Sequence, residues 1–155
     1  MDINVTLVGV FILLTIFIPI GYMVLISSGS IKKAKKSIVE LSKSQGANPQ
    51  MVEVIGNAVI GLDNVSKKLV YTQKQNPETH FKVIEINDLK NVYARSTRFN
   101  DKSLSWVGLE LVGKTKKYEI PFYIDNAEDG HSRDPEVCLQ DAKKWEHTIR
   151  PLLQA

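Results

Sequence analysis

The sequence predicts an N-terminal transmembrane helix followed by an α+β domain in which β-strands predominate. Two observations support this prediction. Residues 5–26, from Val5 to Ile26, contain no charged side chain, although the whole chain of 155 residues is 43% hydrophobic and 24% charged, as in a soluble protein. After residue 50, apolar and polar side chains alternate in short runs, which is typical of strands. A single soluble domain and a large multidomain enzyme are therefore both poor interpretations.

The apolar segment is long enough to cross a bilayer. Its residues span roughly 33 Å as an α-helix, which is about the thickness of one hydrocarbon core. A cleaved signal peptide would have a basic N-terminus and a shorter apolar core. No Lys or Arg precedes Val5. We therefore expect residues 1–27 to form an N-terminal segment and a retained transmembrane helix.

The charges that flank this helix predict its orientation. No basic residue precedes it, and four lysines follow it closely: Lys32, Lys33, Lys35 and Lys36. By the positive-inside rule the N-terminus lies outside and the C-terminal domain is cytoplasmic. The single cysteine, Cys138, suits a reducing compartment. The sequence thus predicts a single-pass protein of the cell (inner) membrane.

Residues 28–48 read as a basic amphipathic juxtamembrane helix and a linker. Apolar Ile31, Ala34, Ile38 and Leu41 recur at intervals of three and four residues, and the lysines occupy the other face. Such a helix can lie on an anionic leaflet, where each lysine contributes about 1 kcal/mol. We therefore predict membrane-surface contact for the four lysines; the alternative is a stop-transfer cluster with a stalk.

Residues 49–155 are predicted to form the cytoplasmic domain. Six runs read as antiparallel strands, and residues 51–55 can supply a seventh; the six are 57–63, 68–73, 81–86, 91–99, 105–112 and 117–124. Pro121 cannot donate a backbone hydrogen bond, so the last strand is expected at a sheet edge or with its proline facing outward.

A single amphipathic helix follows the strands. Asp134, Pro135 and Glu136 form a strong helix start, with the aspartate at the cap and the proline at the first position. The helix is expected to continue to about Arg150. Its apolar face, which should cover the sheet, carries Cys138, Ala142, Trp145 and Ile149.

Two sequence patterns imitate ligand-binding loops. Gly108 to Thr115 matches the phosphate-binding pattern G-x-x-x-x-G-K-[ST], but a strand follows it where a helix is needed. Asp125 to Glu136 approaches the calcium-loop pattern, with alanine at one ligand position. The three histidines have no metal-ligand spacing. We therefore expect neither catalysis nor a cofactor, and no metal.

Lysines cluster in two of the predicted turns. Lys67 and Lys68 lie in the first predicted hairpin, and the last hairpin contains Lys114, Lys116 and Lys117. The ordinary explanation is a solvated turn. The more specific one is membrane-surface contact for the first pair and an anionic ligand or partner surface for the other three. A net charge of +3 is too small to indicate nucleic-acid binding.

The order of elements resembles the pleckstrin-homology (PH) superfold, in particular small bacterial PH-like proteins with an N-terminal membrane anchor. The resemblance is carried by residues 57–63 with the Lys67–Lys68 hairpin, residues 84–92, residues 109–124 and the helix with Trp145. It implies an antiparallel sheet or barrel of six or seven strands capped by one C-terminal helix. It also implies a binding module that presents basic residues around its first hairpin.

The leading functional hypothesis is a membrane-anchored interaction module without catalysis. Its PH-like domain would bind a protein partner or an anionic membrane surface, and residues 5–26 would contact the lipid bilayer. One alternative is a small accessory subunit that assembles with a membrane complex through its transmembrane helix. The other is a ligand-binding or calcium-binding domain, or an enzyme.

Overall fold

The computed structural model describes residues 3–125 and 133–154. The chain divides into two compact units, Met1–Lys33 and Ala34–Ala155. A single helix, α1, covers Ile3–Ser44 and contributes residues to both units.

The part of α1 in the first unit is an exposed apolar helix. Every large hydrophobic side chain from Ile3 to Ile26 is at least 52% exposed, and Pro19 lies inside the helix. Its length and composition allow it to cross a membrane. Exposed apolar surface of this extent marks a site of membrane or protein contact. The predicted apolar helix near the N-terminus is confirmed.

The second unit contains two antiparallel sheets. The first consists of β1 to β4 in the order 1-2-3-4, and the second of β5 to β7 in the order 5-6-7. A short 3₁₀ helix, Ile86–Asp88, connects them. The strands are β1 Met51–Ile55, β2 Ala58–Asp63, β3 Lys68–Gln73, β4 Lys82–Glu85, β5 Leu89–Asn100, β6 Ser103–Gly113 and β7 Lys117–Ile124. The optional strand at residues 51–55 is therefore present, and a mainly β domain is confirmed.

Helix α2, Pro135–Ile149, packs against the core that the two sheets share, and a 3₁₀ turn, Arg150–Gln154, follows it. The Asp134 side chain accepts a hydrogen bond from the Glu136 N–H and caps the helix, as predicted. The four residues predicted on its apolar face are buried, and Trp145 is the largest fully buried side chain. The sequence pattern therefore located both ends of this helix and its packed face.

A second, smaller core lies against the first sheet. It contains Ala34 and Ile38 of α1, Ala47, and Val59 and Val70 of the sheet. All six residues of β2 are buried, so this strand is covered on both faces. The sequence predicts a juxtamembrane helix and linker at residues 28–48; in the structure, Ala34 and Ile38 of this segment also pack in the domain.

Strand β7 lies at the edge of the second sheet, as Pro121 predicted. The register between β6 and β7 shifts between Val107 and Gly108, next to this proline. A Cβ atom on Gly108 would lie 2.2 Å from the Ile120 carbonyl oxygen, so only glycine fits there. The irregular pairing accommodates a residue that cannot donate to the ladder.

Candidate anionic-partner surface

Two of the lysine-bearing turns meet at the 3₁₀ helix Ile86–Asp88. The Ile86 N–H donates to the Lys67 carbonyl oxygen at 2.9 Å, and the Lys114 N–H donates to the Asp88 carbonyl oxygen at 2.9 Å. A 3₁₀ helix rises about 2.0 Å per residue, so the three residues that bind both turns span only roughly 6 Å. We call the four lysines assembled in this way the basic end: Lys67, Lys68, Lys114 and Lys116.

The place of Lys67 and Lys68 differs from the one that the resemblance implied. Because Met51–Ile55 forms a strand, the first hairpin is β1–β2, and its connection is Gly56-Asn57. Lys67 and Lys68 belong to the second hairpin, β2–β3. The first hairpin connection contains no basic residue, so the two lysines lie one hairpin later than the sequence predicts.

Asp63 holds the turn before Lys67 in place. Its carboxylate accepts hydrogen bonds from the N–H groups of Asn48, Val65 and Ser66 at 2.7–3.0 Å, and from the Ser66 hydroxyl at 2.6 Å. Burial, which leaves 3% of the residue exposed, opposes its ionisation. The hydrogen bonds outweigh burial and hold the pKa of Asp63 well below its usual range.

This role of Asp63 was missed in the sequence. The available signal was an aspartate directly before a turn with serine three residues later, which is the pattern of a side chain that bonds the turn backbone. The consequence is a fixed backbone at Lys67, whose φ of 52° is left-handed.

The turn between β6 and β7 is closed by its own backbone. The Gly113 N–H donates to the Lys116 carbonyl oxygen at 2.9 Å. A Cβ atom on Gly113 would lie 2.5 Å from that oxygen, so glycine is required. The Lys116 ammonium lies 5.3 Å from the centroid of the Tyr118 ring, within cation–π range.

Acidic groups are interspersed with these lysines. The Lys68 ammonium lies 3.7 Å from the Glu85 carboxylate, and Asp88 belongs to the 3₁₀ helix between the two turns. Lys68 also lies beside Gly46, just after the end of α1. Its Nζ is 3.8 Å from the position that a Cβ atom on Gly46 would take. The surface is therefore positive in places and mixed in charge.

The structure does not bring Lys117 into the basic end. Its ammonium lies 3.0 Å from Glu110 and 3.5 Å from Glu119, on the outer face of the second sheet. Its hydrogen bond to Glu110 raises the pKa of Lys117. Arg95 also lies 3.7 Å from Glu110, so this lysine belongs to a separate ion-pair network.

The four juxtamembrane lysines are exposed on α1, two in each unit: Lys32 and Lys33 in the first, Lys35 and Lys36 in the second. The Lys36 ammonium is 3.8 Å from Glu40, and both side chains are mostly exposed. Such a pair contributes little to stability. Contact of these lysines with a membrane stays a prediction.

The string from Gly108 to Thr115 lies in the β6–β7 hairpin, with a strand after it, as predicted. The calcium-like pattern from Asp125 to Glu136 includes residues 126–132, which lie outside the described residues. Among the residues that the structure does describe, no three His, Cys, Asp or Glu side chains are grouped so that they could hold a metal ion.

Comparisons with protein-family models, with curated proteins and with solved structures found no match to this chain.

Proposed function

We propose that this chain is a single-pass, membrane-anchored interaction module whose mainly β domain binds an acidic surface of a protein partner. The observation that carries the proposal is the joining of two lysine-bearing turns by the 3₁₀ helix Ile86–Asp88. Lysines that are merely solvated in separate turns do not require those turns to be hydrogen-bonded to the same segment. Here two turns from different sheets are hydrogen-bonded to one short segment, which holds the backbones of the two turns next to each other.

Anchoring is supported by α1. Its apolar side chains from Ile3 to Ile26 are exposed. Such exposure is unfavourable in water but not in the apolar interior of a bilayer, where a helix also satisfies its own backbone groups. By the positive-inside rule, the lysines that follow it favour an N-terminus outside and a domain in the cytoplasm. We propose the cell (inner) membrane as its location.

A PH-like architecture is part of this proposal. Four antiparallel strands, then three, then one helix packed on the shared core is the order of elements expected of a PH-like domain. Folds of this kind serve many functions, so the binding role is argued from the basic end and not from the fold.

The mixed charge of the basic end favours a protein partner over a lipid surface. Glu85 and Asp88 lie among its lysines, and a uniformly anionic leaflet would repel them. A protein surface can instead present opposite charges in matching positions. The second unit as a whole has 18 basic and 16 acidic residues, so its binding depends on local pattern and not on net charge.

Charge reversal at the basic end tests the proposal. The full-length chain with Lys67→Glu and Lys114→Glu is compared with wild type and with a control that carries Lys74→Glu and Lys143→Glu. The two variants change the net charge equally. After capture in mild detergent, we expect the partner of the wild type to be lost from the first variant and retained by the control.

Two results would contradict this account. Equal partner recovery from both variants would show that the basic end does not take part in the interaction. Loss of binding to phosphatidylglycerol vesicles by the first variant but not by the control, with no protein captured, would identify a lipid surface instead. Digestion of the domain by protease added outside intact cells would separately contradict the proposed orientation.

A second candidate function is that of a subunit that assembles through its transmembrane helix. Within the described chain, a Cβ atom on Gly9 or Gly21 would meet nothing within 4 Å, so another helix can approach closely there. Replacing residues 5–26 by a poly-leucine span separates the two candidates. Retained partner capture favours the domain, and lost assembly favours the helix.

A further inference from the structure

The β5–β6 hairpin extends beyond the third strand of its sheet. Ile124, the last residue of β7, pairs with Trp106, which in turn pairs with Thr97. Past this line, residues 98–104 form a ribbon of only two strands. Its pairing is irregular at Arg98, where shifts in register occur on both sides. A two-stranded ribbon buries little surface of its own. Leu104 is buried in the core, whereas the side chains from Arg98 to Ser103 are exposed.

Phe99 lies near the tip of this ribbon and is 79% exposed. It is the only exposed aromatic residue among the described residues of the second unit. The neighbouring side chains from Arg95 to Lys102 are exposed as well, so no described residue of the domain covers it. Exposure of an aromatic ring to water is unfavourable, and its transfer to an apolar phase lowers the free energy.

Positive charges flank the exposed ring. Arg98 and Lys102 lie on either side of the tip, and the Arg98 guanidinium donates to the Asp101 carbonyl oxygen at 3.4 Å. Because that acceptor is a neutral backbone group, the contact does not neutralise the arginine. An aromatic ring between cationic side chains is typical of sequences at the interface between lipid and water.

We propose that the tip of the β5–β6 hairpin enters the headgroup region of an anionic bilayer, with Phe99 in the interface and Arg98 and Lys102 on lipid phosphates. The inference rests on the anchoring part of the proposed function. A chain tethered by α1 meets the bilayer at high effective concentration, so a weak contact is sufficient. Each cation near the surface adds to the attraction, and no acidic side chain other than Asp101 lies within residues 98–104.

This placement separates two surfaces of the domain. Strand β6 begins at Ser103, beside the tip, and ends at Gly113, beside the basic end. Ten steps of a strand cover roughly 33 Å. With the tip in the headgroups, the basic end is free to meet a partner in the aqueous phase. In this arrangement the tip of the β5–β6 hairpin faces lipid and the basic end faces protein.

Site-directed spin labelling of the full-length chain tests this inference. A nitroxide is placed at Asn100→Cys, next to Phe99, or at Val65→Cys, both with Cys138→Ala. Val65 is the matched control because it is 86% exposed at the tip of the β2–β3 hairpin, beside the basic end. Each protein is reconstituted into vesicles of phosphatidylcholine alone or with an equal amount of phosphatidylglycerol.

We expect the ratio of oxygen collisions to nickel-complex collisions at position 100 to rise several-fold in the phosphatidylglycerol vesicles. The ratio at position 65 should stay that of a label in water. Phe99→Ser should return position 100 to the water value, and Phe99→Trp should preserve the lipid value. Arg98→Ser with Lys102→Ser should remove the dependence on phosphatidylglycerol.

A water-exposed label at position 100 in both kinds of vesicle would overturn the inference. So would a label that is shielded only when a protein partner is added. Release of the full-length protein from vesicles by alkaline carbonate would instead contradict the anchor. The failure of this inference is therefore distinguishable from the failure of the proposed function.

Discussion

Trp145 donates its indole Nε1–H to the Glu53 carboxylate at 2.9 Å, and this hydrogen bond fastens helix α2 to strand β1. The other carboxylate oxygen of Glu53 accepts a hydrogen bond from the Lys144 ammonium. Trp145 is fully buried and has one polar atom, so this single acceptor satisfies it. The contact joins the first strand of the domain to its last helix.

Removal of this acceptor is expected to destabilise the domain. Glu53→Ala leaves the buried indole N–H without a partner and should lower the free energy of unfolding by about 1–3 kcal/mol. Glu53→Gln keeps an acceptor oxygen and should cost less. Urea unfolding of residues 34–155 measures both. Equal stability of Glu53→Ala and wild type would show that the hydrogen bond does not hold α2.

Asp63 should make stability depend on acidity. Its pKa is lowered in the folded state, so its contribution is complete above the unfolded value of about 3.9 and is lost as the pH falls toward the folded value. Asp63→Asn should lower the free energy of unfolding by about 1–3 kcal/mol at neutral pH. The difference between the two proteins should shrink below about pH 4. Unfolding curves from pH 2 to pH 7 provide the measurement, and a difference that stays constant across that range would contradict the hydrogen-bonded carboxylate.

The packing of α1 on the first sheet predicts where a folded fragment must begin. Residues 34–155 retain Ala34 and Ile38 over Val59 and Val70, whereas residues 47–155 expose those valines. We expect the longer fragment to unfold cooperatively. The shorter one should lose about 1.5–3 kcal/mol for each large apolar side chain that is uncovered.

A point substitution isolates the same contact. Ile38→Ala in the longer fragment should cost about 2–5 kcal/mol, because Ile38 is completely buried. Glu40→Ala on the exposed side of the helix should cost less than about 1 kcal/mol. Equal urea midpoints for the two variants would contradict the packing of α1 against the sheet.

Most of the secondary structure could be predicted because it depends on local pattern. Alternation identified the strands from β2 to β7, and Asp134 with Pro135 identified the start of α2. Strand β1 was less certain because only Ile55 of its five residues is buried. Its place in the sheet depends on long-range contacts such as Glu53 with Trp145, which no local pattern reveals.

The candidate site could be predicted only in part, for the same reason. The lysines of both turns were recognised individually, but their common support at Ile86–Asp88 comes from hydrogen bonds between distant segments. Sequence proximity groups Lys117 with Lys114 and Lys116, whereas in the structure its ammonium pairs with Glu110 and Glu119. The spacing of charges along a chain does not specify which acidic side chains fold against them.

Membrane anchoring of the folded domain by α1 is the proposal on which the others depend. Alkaline carbonate extraction of membranes from cells that express either the full-length chain or residues 34–155 tests it most directly. If the apolar helix crosses the bilayer, the full-length protein stays in the membrane pellet and residues 34–155 are recovered in the supernatant. Recovery of the full-length protein in the supernatant would contradict the account.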